Sequence, residues 1–177
     1  MNNSKNTSIN NRLPRLFKNL ERLEICGEQV LPQIESIMDF GCGRYPEHVA
    51  QWAKNHNINV HQYDPYWTIN RYHHNSDSKA NLDGEIWALC FSNVLNVVED
   101  WSEVILSGID AVPLPEGPQL IIATVYEGDL SGETKRTSKG LQQNKPIEHY
   151  LGYCRTFFGD SYNWFIRNSM LIGENKR

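Results

Sequence analysis

Two acidic residues and two glycines are spaced as a nucleoside site would need them. Asp39 stands two residues before Gly41, Gly43 follows Cys42, and Asp64 comes 21 residues after Gly43. Glycines let a backbone approach its ligand, and a carboxylate at a strand tip accepts hydrogen bonds from ribose hydroxyls. Asp39 is close enough to the turn to meet a ligand cation. A dinucleotide fingerprint would need a third glycine at position 46, where Pro46 stands instead. A ligand without phosphates needs no such cradle, so an NAD-dependent enzyme ranks low. Further along, Tyr126, Glu127 and Asp129 are the groups that could take a proton from a reacting nucleophile.

These residues need a strand, a turn, a helix and a second strand to bring them together. Residues 37–40 form a short apolar run that reads as a buried strand. Pro46 suits the first turn of a helix, and residues 47–55 carry Val49, Trp52 and Ala53 at helical spacing. Residues 58–63 read as the second strand, with Asp64 at its tip. Residues 86–91 are a third apolar run. Val94, Leu95, Val97 and Val98 then predict a helix continuing through Val104, Ile105 and Ile109, capped by Ser92 or Asn93. Ligands in open α/β sheets lie at the carboxyl ends of the strands. Ser92, Asn93 and Asn96 are therefore expected at the same crevice as Gly41 and Asp64, and for Asn93 capping and site-lining are compatible roles.

D-F-G-C-G with an acid 21 residues on resembles the first two motifs of class I S-adenosylmethionine (SAM)-dependent methyltransferases. S-N-V-L-N-V-V-E-D at 92–100 is similar to the fourth-strand segment of that family. With Y-E-G-D-L-S-G at 126–132, it points to small members found in phages and prophages. The resemblance implies SAM as cofactor, with Asp39 orienting its methionine part and Asp64 its ribose. Gly41, Cys42, Gly43, Pro65, Ser92 and Asn93 would complete the cofactor site. It also implies in-line methyl transfer, with Tyr126, Glu127 and Asp129 as catalytic candidates. Asn96, Lys135, Arg136 and Lys139 are the candidates for the acceptor. Many members have a third glycine where this chain has Tyr45. No D/N-P-P-Y motif follows the 86–91 run and no Pro-Cys pair exists, which argues against amino-directed and C5-directed DNA methylation. The alternative is a catalytically degenerate SAM-binding protein with an accessory or interaction role.

The remaining chain fits an abbreviated Rossmann-like, doubly wound α/β sheet, mostly parallel, ending in an antiparallel hairpin. Residues 1–11 are Asn-rich and expected to be disordered; residues 12–177 form one methyltransferase-like domain. Leu13, Leu16, Phe17, Leu20 and Leu23 predict a helix that Gly27 would end. Residues 68–84 are nearly devoid of apolar side chains and read as a solvated loop, leaving the sheet short at that edge. His73, His74 and Asp77 within it are not read as a metal site, since adjacent histidines cannot share a face. Residues 119–125 form the next buried strand. The polar stretch after it carries Lys135, Arg136, Lys139 and Lys145. It is expected as a loop that either contacts an anionic acceptor or is simply solvated. Residues 147–158 predict a helix. Residues 162–167 and 170–172, flanking Asn168-Ser169, predict the final hairpin.

Composition bounds the function. The net charge is −4 over 177 residues, so no strong positive field of a general nucleic-acid binder exists. Four separated cysteines without a C-x-x-C pair argue against zinc and against a disulfide scaffold. No apolar run reaches membrane-spanning length, and the N-terminal residues lack the apolar core of a signal peptide. The expectation is a cytoplasmic monomer or homodimer, with nucleic acid or a nucleotide as the acceptor to consider first.

Overall fold

The computed structural model describes residues 11–64, 67, 69–73, 87–98, 106, 117–137 and 140–176. The centre is a seven-stranded sheet in the order β10-β11-β7-β6-β3-β4-β5. Its members are β3 (Ser36–Phe40), β4 (Asn59–Asp64), β5 (Ile69–His73), β6 (Ala88–Ser92), β7 (Leu120–Thr124), β10 (Tyr162–Arg167) and β11 (Met170–Asn175). β7, β6, β3 and β4 pair in parallel. β11 runs against both β7 and β10, and so lies between them. This is the mostly parallel sheet with a closing antiparallel hairpin that the residue pattern predicts.

Period-two alternation sorts the side chains onto two faces. Met38, Phe40, Leu89, Phe91, Ile121 and Leu171 join one core with Tyr150 and Cys154 of helix α3 (Ile147–Phe158). Ile37, Val60, Cys90, Ile122 and Ile172 join the other. That second core is covered by helices α1 (Arg15–Leu20) and α2 (Glu47–Asn55), through Leu16, Phe17, Leu20, Val49, Trp52 and Ala53. The rings of Phe17 and Trp52 lie 5.1 Å apart, and the Trp52 indole N–H donates to Glu21 at 2.9 Å. Asp39 shares the face of Ile37, so it is buried on the α2 side.

Four expectations need correction. First, α1 stops at Leu20. Residues Glu24–Ile25 (β1) and Glu28–Gln29 (β2) pair as a two-stranded hairpin. Cys26 and Gly27 both take positive φ, 53° and 87°, as a tight primed turn requires. Gly27 therefore turns a hairpin and does not end a helix. Leu23 still reaches the same core, which is why its spacing mimics a longer helix.

Second, the sheet does not stop at β4. β5 pairs antiparallel with it from Val60↔His73 to Asp64↔Ile69. Of this polar run, Ile69 is buried while Asn70, Arg71 and His73 are exposed, so one apolar anchor and the β4 ladder make the strand. His74 and Asp77 lie outside the described residues. Among the described residues no group of three His, Cys, Asp or Glu could hold a metal.

Third, residues 95–97 form a turn in place of the expected helix start. Val94, Leu95 and Val98 are buried, but the carbonyls a helix would use are engaged elsewhere. Asn96 O accepts the Gln143 N–H at 2.8 Å and Val98 O accepts the Gln143 side chain at 2.7 Å. Leu106 alone is described between 99 and 116, and it is helical.

Fourth, the basic stretch is ordered as a ribbon. β8 (Thr134–Thr137) and β9 (Gly140–Gln143) pair antiparallel, and Gly132 and Asn144 tie its base through Gly132 N–H to Asn144 O and Asn144 N–H to Glu133 O. Among the described residues no helix is long and apolar enough to cross a membrane.

Candidate functional site at the carboxyl edge of the sheet

β3 ends at Phe40 and turns at once through Gly41 and Gly43, with φ of 70° and 72°. The turn is fastened to β4. Gly41 N–H and Cys42 N–H both point at Tyr63 O, at 2.7 and 3.3 Å. Gly43 N–H donates to Asp64 Oδ2 at 2.9 Å, and Trp67 N–H donates to Asp64 Oδ1 at 3.0 Å. A Cβ on Gly41 would stand 2.5 Å from Val94 Cγ2. Glycine is required here for both the left-handed backbone and the space.

Asp39 is fully buried one residue behind this turn. Its Oδ2 accepts a long bond, 3.4 Å, from Gln62 Nε2, while its Oδ1 has no partner. Gln62 also donates to Pro46 O at 2.7 Å, at the start of α2. Burial lifts the Asp39 pKa from 3.8 to about 7; the Gln62 bond opposes the rise and the Asp64 charge adds to it. The Cys42 thiol beside them is pushed well up by burial and by Asp39 and Asp64, so it stays neutral.

The next strands bring their ends to the same edge. Ser92 pairs with Thr124 across β6 and β7, and Asn93 N–H donates to Thr124 O at 2.8 Å. Asn93 takes φ 58° and is exposed; Ser92 is half-buried. Asn96 is buried, its amide 3.4 Å from Gln142 Oε1 and its own Oδ1 unpartnered. Pro65 lies outside the described residues.

Beyond β7, Tyr126 is exposed at the base of the ribbon, and its carbonyl accepts Gln142 Nε2 at 3.0 Å. Glu127 is half-buried. Its carboxylate accepts the Ile147 N–H at 2.7 Å, so it satisfies an orphan donor at the start of α3, where Pro146 has no side-chain cap to offer. Glu127 also neighbours Tyr150, whose phenol is pushed up to about 12, chiefly by burial. Asp129 is exposed and holds Ser131 N–H and Lys135 Nζ. The Lys135 bond is the main cause of its strongly lowered pKa. Arg136 is exposed on β8; Lys139 lies outside the described residues.

The sheet edge thus gathers Asp39, Gly41, Cys42, Gly43, Asp64, Ser92, Asn93 and Asn96. Tyr126 and Glu127 stand at the root of the ribbon, and Asp129, Lys135 and Arg136 extend along it. Sequence reasoning missed Gln62, Val94 and the capping role of Glu127. Only Pro146, a helix start lacking a capping side chain, hinted at the last.

No protein-family model matches the sequence, and no curated protein matches it. A solved structure does. Burkholderia thailandensis 1,6-didemethyltoxoflavin-N1-methyltransferase, with bound 1,6-didemethyltoxoflavin and S-adenosylhomocysteine, superposes with a TM-score of 0.52 at 13% identity. The match covers 81% of this chain and 72% of that one. The two chains share a Rossmann-like fold with a mostly parallel sheet. At 13% identity the likeness concerns the fold alone.

Proposed function

We propose that this chain binds SAM at the glycine turn and transfers its methyl group to a small-molecule or nucleotide acceptor. The observation that carries this reading is the pair of acids around one turn. Asp39 presents a buried oxygen without a partner, and Asp64 closes the turn through Gly43. An orphaned buried carboxylate oxygen costs free energy unless a donor meets it, and the ammonium of a methionine moiety is such a donor. Asp64 accepts a backbone N–H on each oxygen, and a carboxylate oxygen is also the acceptor that a ribose hydroxyl needs. Ser92, Asn93 and Pro65 are proposed to line the cofactor's remaining side.

SAM, when bound, supplies a sulfonium methyl open to in-line displacement. The chain's own work is orientation, which can be worth up to roughly 7–11 kcal/mol. Asn96, with its unpartnered Oδ1, is proposed to hold the acceptor. Tyr126 and Glu127, at the root of the ribbon, are proposed as the groups that take its proton. A compact acceptor suits the ribbon better than a polynucleotide does, because Asp129 already holds Lys135. The solved neighbour, too, is bound to a small molecule.

Calorimetric titration with SAM and S-adenosylhomocysteine tests the cofactor. Micromolar binding of both is expected, and absence of both would overturn the proposal. Turnover is then tested with labelled SAM against small molecules, nucleotides and oligonucleotides. One observation favours a second reading, a SAM-binding accessory protein: Glu127 and Asp129 are both engaged in structural bonds. Tight SAM binding without transfer to any acceptor would favour it.

A further inference from the structure

A groove of about 580 Å³ lies behind the glycine turn, between α2 and the β4–β5 ribbon. Such a volume holds a small molecule. Its floor is apolar, from Pro46, Ala50, Ile58 and Val60. One wall is built by strand register. Gln62 stands opposite Arg71 and Val60 opposite His73, so all four side chains share one face of the ribbon.

Two of these groups lack what they need. Gln62 is fully buried, lines the groove, and has no partner for its Oε1. The Arg71 guanidinium is exposed at the groove and pairs with no carboxylate among the described residues. His73 beside it has its pKa lowered by burial and by the Arg71 charge, so it is neutral near pH 7. Glu47 and Lys54 both line the rim from α2, about two turns apart, and offset in formal charge. The groove therefore offers one fixed cation, one buried hydrogen-bond acceptor and an apolar floor.

We propose that this groove is a second ligand site for a small hydroxylated anion, a phosphate monoester or a carboxylate, coupled to the glycine turn through Gln62. The anion meets Arg71 and a hydroxyl donates to Gln62 Oε1. Gln62 Nε2 reaches Asp39 Oδ2 and Pro46 O from the same amide. A donor on Oε1 polarises that amide and strengthens its bond to the Asp39 carboxylate. Occupancy thus favours ionised Asp39 and tightens SAM binding, and SAM tightens the groove equally by linkage. Binding in the groove does not depend on the proposed SAM site; the coupling does.

The test is an NMR titration of the full chain with glycerol 3-phosphate and, separately, with glycerate. Saturable shifts are expected at the Gln62 and Arg71 side chains and at Val60, with a Kd on the order of 1 mM or tighter for the better ligand. Arg71→Ala should weaken that binding by about tenfold while leaving SAM affinity without the anion unchanged. The tighter of the two anions identifies the headgroup. Shifts confined to Asp39, Gly43 and Asp64 would place the anion in the crevice and overturn the groove. So would failure of both anions to saturate, or full affinity in Arg71→Ala. Saturable groove binding with SAM affinity unmoved would overturn the coupling. Absence of SAM binding with groove binding intact would instead count against the cofactor reading.

Discussion

Gly43 donates its backbone N–H to Asp64 Oδ2 at 2.9 Å, across 21 residues of chain. The bond joins the end of the first parallel strand's turn to the tip of the next strand. It holds the acid at the turn before any ligand arrives. An acid fixed in place loses less freedom on binding than a mobile one.

Asp64→Ala should therefore cost more than a ribose contact. It removes the acceptor of both Gly43 N–H and Trp67 N–H. SAM affinity is expected to fall at least about tenfold, and stability by about 1–3 kcal/mol. Calorimetry and urea unfolding measure the two effects. Unchanged affinity would remove Asp64 from the cofactor site.

Asp39 makes stability depend on pH. Its folded pKa of about 7 lies above the ordinary 3.8, so the folded state holds the proton more tightly than the unfolded chain does. The stabilisation from this proton is fully present below about pH 3.8 and is lost as pH rises to about 7. Asp39→Asn should be nearly neutral at the acid end of that window. Above pH 7 it should be stabilising, by up to about 4 kcal/mol. SAM affinity in the native chain should rise through the same window, because the ammonium prefers the carboxylate, and Asp39→Asn should flatten that rise. Urea midpoints and calorimetry from about pH 3.8 to above about pH 7 check both signs.

Gly41→Ala should be destabilising by about 1–3 kcal/mol, from its positive φ and from the 2.5 Å approach of Val94 Cγ2. Val94→Ala removes the obstructing methyl groups. The double variant should recover the packing part of the loss and keep the backbone part. A thermodynamic cycle on thermal unfolding separates them. Strict additivity would mean that the two residues do not constrain each other.

Glu127 can be divided between its two roles by one isosteric change. Glu127→Gln keeps an oxygen for the Ile147 N–H, whereas Glu127→Ala does not. The alanine variant should lose about 1 kcal/mol of stability and the glutamine variant little. If Glu127 takes a proton from the acceptor, kcat should fall in both. A glutamine variant with full kcat would leave Glu127 as a capping residue only.

The stretches that were legible in the chain are those whose cause is local. Residues 47–55 and 147–158 carry their apolar stripe and their proline start within themselves, and both helices form over those residues. Asn168-Ser169 turns the last hairpin because two adjacent residues accept positive φ. The Asp39, Gly41, Gly43 and Asp64 spacing is likewise readable, since the strand–turn–helix–strand unit between them has little freedom of length. What tertiary structure decided are relationships between residues far apart. β5 exists because β4 offers it a ladder. Residues 95–97 turn because Gln143 takes the carbonyls of Asn96 and Val98. Gln62 reads as an ordinary strand residue until Asp39 and Pro46 close around it. Pattern in a chain reports which side chains seek burial; which buried polar atom meets which partner is settled only when distant segments share the same few ångströms.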